Sequence, residues 1–114
     1  MTYADFVKSL CKDGGDIANS MTPKDAHILH MAVGVSGESG ELLDAIKKAV
    51  IYRKELDVEN VKEEIGDCLF YLQGLCNAID YSLSEAMTDN KAKLEKRYSS
   101  GEYSDKQAHD RADK

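Results

Sequence analysis

A single proline, Pro23, falls in a chain of 114 residues. Proline and glycine are the strongest local breakers of regular structure, so a chain with one proline and long polar–apolar periods is biased towards helices. Thr22-Pro23 reads as a helix start, with Thr as N-cap, Pro at the first helical position and Asp25 in the first turn. The 3.6-residue pattern predicts a first helix over about 3–12, with Tyr3, Phe6, Val7 and Leu10 on one face, ended or interrupted by Gly14-Gly15. A second helix is expected from Pro23 to about Leu56, and a third, capped by Asp57, to about Asp80. A fourth begins at Ser82, where Glu85 completes a capping box, and reaches about Tyr98. No alternating strand pattern occurs. The expected fold is all-α: one domain over 1–114, a bundle of four to five helices, with 99–114 a polar, loosely ordered tail.

Composition narrows the function classes. The net charge is -6, which argues against a nucleic-acid polymer as partner, since such surfaces are basic. It leaves room for a single nucleotide, because a divalent ion reverses the local field. Three cysteines without a CxxC pair, no apolar run of membrane length and no signal-type N-terminus suggest reduced thiols and a cytoplasmic protein. A helical domain this short gains stability by associating with copies of itself.

Helical wheels place acids beside the apolar faces. On the second helix Met31, Val35, Leu42, Ile46 and Ala49 form a stripe, bordered by His27, His30, Gly34, Glu38, Glu41 and Ala45. On the third, Val61, Ile65, Cys68, Leu72, Leu75 and Ile79 form the stripe, bordered by Glu64, Asp67 and Tyr71. Antiparallel packing would bring four carboxylates, Glu38, Glu41, Glu64 and Asp67, to one end of a groove. Like charges at short range repel, so a cation is expected among them. Oxygen ligands without cysteine suit Mg²⁺, with Mn²⁺ as the alternative. Gly34, Gly37 and Gly40 lie near the acids, where missing side chains would let a metal and substrate approach the backbone. Each glycine weakens the helix by about 1 kcal/mol relative to alanine. The plain alternative is that the acids are solvated helix surface.

These segments also resemble a family. "GESGELLDAIKKAV" followed by "VKEEIGDCLFYLQGL" resembles the MazG-like, all-α nucleoside triphosphate pyrophosphohydrolases, whose ExxE–spacer–ExxD signature aligns with Glu38, Glu41, Glu64 and Asp67. "NKAKLEKRY", Asn90 to Tyr98, resembles the family's Asn-x-x-Lys-Leu-x-x-Arg-Tyr element, and "HMAVGVSGESGEL" also fits. Ser99 and Ser100 stand where the family commonly has proline. The resemblance implies Mg²⁺-dependent cleavage between the α and β phosphates, giving a monophosphate and pyrophosphate. It also implies dimers or dimers of dimers, with sites near the subunit boundary. Similarity to small single-domain phage and bacterial members points to a purine deoxynucleotide, dGTP or dATP.

Within that reading Glu38, Glu41, Glu64 and Asp67 hold metal, with Glu38 or Glu64 instead serving as general base. On the fourth helix Asn90, Lys93 and Arg97 share a stripe beside Tyr98 and are candidates for phosphate and sugar oxygens. His27 and His30 are candidates for the base, with Phe6 and Tyr71 as further walls. Lys47, Lys48, Arg53 and Lys54 close the second helix, where cations complement the dipole; Lys54 is the candidate among them for a phosphate. Other functions remain open. One is a phosphoribosyl-ATP pyrophosphohydrolase-like enzyme, and another a non-catalytic helical dimerisation or binding module. A carboxylate-bridged iron or manganese protein would use Glu-x-x-His pairs, and the chain has none.

Overall fold

The computed structural model describes residues Met1–Lys114 and contains helices and turns without a strand. In order they are α1 (Tyr3–Leu10), α2 (Gly14–Ser20), α3 (Pro23–Val50), α4 (Val58–Ala78), α5 (Leu83–Arg97) and α6 (Asp105–Asp110). Most starts are set by local hydrogen bonds. Thr2, Thr22 and Ser82 accept from the backbone N–H groups of Asp5, Asp25 and Glu85, whose carboxylates bond back to the cap N–H. Such caps contribute about 1 kcal/mol each.

Three boundaries differ from the sequence expectation. Gly14-Gly15 opens a helix, because Asp13 caps the N–H of Asp16. The helix from Pro23 stops at Val50: Arg53 adopts a left-handed φ of 56°, and the Lys54 N–H turns back to the Lys48 carbonyl at 3.3 Å. The segment read as a loose tail carries α6. There the Arg97 guanidinium donates to both oxygens of Asp113, at 2.7 and 3.1 Å, and the Asp113 side chain is 1 % exposed.

The main packing unit is the α3–α4 pair, while α5 touches α4 and α6, and α1 and α2 pack on no other helix. Two glycines position the pair. A Cβ on Gly34 would overlap the Tyr71 ring, and one on Gly74 would overlap the Met31 sulfur. Position 34 therefore faces 71 while 31 faces 74, which makes the helices antiparallel. Gly34 thus receives an aromatic ring, a different role from the backbone access for a ligand expected of it. Gly37 and Gly40 have open space beside them.

Because the helices meet along their glycine edges, the apolar stripes predicted from the wheels are only partly covered. Met31, Ala45 and Cys76 are the three buried residues. Ile46, Ile65, Leu72 and Ile79 remain exposed, as do Leu29, Val33 and Leu43 on α3. The radius of gyration is 19.9 Å, against about 13 Å for a compact chain of this length. All three cysteines are free thiols.

Two predictions follow from this packing. Gly34→Ala should destabilise the chain by about 1–3 kcal/mol through overpacking against Tyr71, whereas Gly37→Ala should stabilise it by up to about 1 kcal/mol; urea denaturation distinguishes them. The Arg97 guanidinium holds the Asp113 carboxyl well below its ordinary value of 3.8. A carboxylate whose folded pKa is depressed contributes stability that is full above its unfolded pKa and is lost as pH falls below it. Asp113→Asn should therefore lower the melting temperature at pH 7 and shrink the loss seen between pH 5 and pH 2.

Candidate metal and nucleotide site

The register set by the glycine sockets brings the first turns of α4 alongside the middle of α3. Glu38, Glu64 and Asp67 each offer a carboxylate oxygen, and these atoms lie within 4.8 Å of one another. Glu38 and Glu64 are half-buried, and Asp67 is exposed. Glu41, one turn along α3, is exposed and stands outside this trio, although its charge still reaches Glu64.

The electrostatics show an uncompensated site. Contact with the Glu38 carboxyl, which favours a proton between the two, acts first on Glu64. Partial burial and the charges of Glu38, Asp67 and Glu41 add to it, and the Glu64 carboxyl is pushed up to about 7. Glu64 Oε2 is buried and has no hydrogen-bond partner. None of the ion pairs in the chain includes any of the four acids. Lys47 and Lys48 pair with Asp44 at 3.1 and 2.9 Å, and Lys47 lies over the Tyr52 ring. A cluster of hard oxygens, one of them orphaned in a half-buried place, fits a divalent cation of the Mg²⁺ type and offers nothing for a soft metal.

From the trio, the seam runs towards the start of α3. Tyr71 fills the Gly34 socket, and the His30 ring lies 6.2 Å from it, centroid to centroid. Beyond it opens a groove of about 550 Å³, lined among others by His27, Met31, Leu69, Phe70, Gln73 and Asn77. The sequence reading placed His27, His30 and Tyr71 along this edge. It did not single out Phe70, Gln73 or Asn77; the i+3/i+4 series 67, 70, 74, 77 carries Phe70 and Asn77 up the side of α4 that holds Asp67, and Gln73 lies at the edge of that row, one turn before Asn77.

The remaining candidates lie elsewhere in the chain. The α5 helix packs on α4 and α6 and not on α3, and neither Lys93 nor Arg97 forms an ion pair with any of the four carboxylates. Asn90 and Tyr98 line a separate cavity of about 410 Å³ with Tyr103. Lys93 is exposed, and the Arg97 fork is taken by Asp113. Lys54 is exposed in the turn after α3, and Phe6 is exposed on the unpacked α1.

The family model of the MazG nucleotide pyrophosphohydrolase domain matches residues 27–101, a span that holds α3, α4 and α5 with both acidic pairs. No curated protein and no solved structure matches the chain. Its matched span covers well over half the chain and contains the carboxylate trio on the α3–α4 seam, so the chain belongs to the MazG family of nucleoside triphosphate pyrophosphohydrolases.

Proposed function

We propose that this enzyme is a Mg²⁺-dependent pyrophosphohydrolase of deoxynucleoside triphosphates, cleaving between the α and β phosphates to release a monophosphate and pyrophosphate. The observation that carries the reading is the Glu38–Glu64–Asp67 trio with its partnerless buried oxygen. Glu38, Glu64 and Asp67 would hold the ion, with Glu41, one turn along α3, as the fourth candidate ligand. When bound, the ion neutralises phosphate charge and makes a water more nucleophilic. One of Glu38 and Glu64 would leave the ion to its neighbours and instead orient a water and accept its proton. Phosphoryl transfer asks little else of a protein beyond placement and charge. The base lies along the seam towards His30 and His27, with Tyr71 as a wall, and a purine, dGTP or dATP, is the favoured occupant.

The triphosphate also needs cations, and the chain brings none of its own to the trio. A second copy supplies them in this reading. Asn90, Lys93, Arg97 and Tyr98 of α5, or Lys54, would reach across the boundary of a homodimer or a dimer of dimers. Release of Arg97 from Asp113 would be part of that arrangement. The exposed apolar stripes and the three-residue core support association. Three free thiols accord with a cytoplasmic location.

Three outcomes test this reading. Purified protein with Mg²⁺ should release pyrophosphate from at least one deoxynucleoside triphosphate in a panel of canonical and modified nucleotides, and no release from any of them would leave a non-catalytic binding module as the better account. Release from phosphoribosyl-ATP alone would favour that branch instead. Glu64→Gln and Asp67→Asn should each lower turnover by about a hundredfold or more, since the lost charge stabilisation is worth several kcal/mol. They should keep their helical circular dichroism and lose the melting-temperature rise that Mg²⁺ gives the parent chain. Finally, sedimentation should give a dimer or larger, and mixing inactive Asp67→Asn chains with Lys93→Ala chains should regenerate activity. Mixtures no better than their parents would place both residues' work within one chain.

A further inference from the structure

The groove beyond Tyr71 has a feature that metal binding and phosphate chemistry leave unused. Gln73 Nε2 donates to Asn77 Oδ1 at 2.7 Å, a side-chain bond along one face of α4. Amides bonded to each other are held in orientation, and their remaining groups, a carbonyl on one and N–H donors on the other, stay available. The pair forms a shared wall between the apolar groove and a polar pocket at the α4–α5 turn. Phe70 lines the same groove; the residue is 67 % exposed, and its ring stands edge-on to Tyr71 at 5.1 Å and 88°.

The position along the helix is equally specific. Gln73 lies six residues and Asn77 ten residues past Asp67, about 9 and about 15 Å along the axis. A ligand whose phosphates sit at the carboxylate trio and whose length follows the seam places its sugar by Tyr71 and its ring over the Phe70–Met31 floor. A flat heteroaromatic ring with a polar edge suits a groove lined by Met31, Leu69 and Phe70 with the Gln73 and Asn77 amides beside them.

We propose that Gln73 and Asn77 are specificity-determining residues that read the hydrogen-bonding edge of the nucleobase, with Phe70 as the stacking surface. This assignment rests on the pyrophosphohydrolase reading and adds to it the means by which one base is chosen. A site built to hydrogen-bond a substrate edge rejects an analogue that cannot match it, because its own amides are then left unpaired. The competing account is structural: an i,i+4 amide pair on a solvated helix adds only a few tenths of a kcal/mol.

The test is a kinetic panel of dATP, dCTP, dGTP and dTTP with Mg²⁺ for the parent chain and for Gln73→Ala, Asn77→Ala and the isosteric Asn77→Asp. The parent should discriminate between amino-edged and keto-edged bases. Each alanine variant should lower kcat/KM for the preferred nucleotide about tenfold more than for the others, chiefly through KM, and Asn77→Asp should reorder the panel. Both side chains are exposed, so circular dichroism should be unchanged. Variants that keep the parent's ratios, or that lose activity equally on all four nucleotides, would overturn the assignment. A parent chain inactive on every nucleotide would overturn the pyrophosphohydrolase reading itself, and this assignment with it.

Discussion

At Gly34 and Gly74 the absence of a side chain lets a Tyr71 ring and a Met31 thioether enter the facing helix, and this exchange sets how α3 lies against α4. Protein interiors are close-packed, so two filled sockets three residues apart on each helix allow one register. The register determines which acids meet. With 34 against 71 and 31 against 74, Glu38 comes to Glu64 and Asp67, and Glu41 passes one turn further on. A slip by one helical turn would change that set.

Packing on the glycine edge has a second effect. Helices that approach through their small residues turn their larger apolar residues away from each other. Leu29, Val33, Leu43 and Ile46 of α3 and Ile65, Leu72 and Ile79 of α4 are left exposed in one chain. Large apolar residues left exposed in this number are what an interaction surface would use. The proposed association covers that surface and brings cations to the acidic trio, so one arrangement would supply both missing parts. Site and stability would then depend on the same contact.

The acidic trio is unfavourable by itself. Glu64 shows this most directly, with its carboxyl raised to about 7 and one oxygen buried without a partner. The Arg97–Asp113 fork is the opposite case: opposite charges, bidentate geometry and a buried carboxylate give a tie that closes the chain after α5. The two sites use the same residue chemistry. One has its partner within the chain, and the other is a set of hard oxygens that would suit a divalent cation.

Helix identities and most helix starts were legible in the sequence, because N-caps such as Thr22, Asp57 and Ser82 act within three or four residues of themselves. So was the likeness of the two acidic pairs to the MazG signature, since spacing on a helix is local. Short-range signals also misled at Gly14-Gly15 and after Val50, where capping by Asp13 and a left-handed Arg53 moved the boundaries. The tertiary structure alone decided that Gly34 serves Tyr71, that Glu41 stands outside the trio, that Arg97 is held by Asp113, and that Gln73 and Asn77 border the groove. Each of these depends on which residue of a distant segment occupies a given space. Helical periodicity assigns a residue to a face, and shape complementarity between helices decides what that face meets.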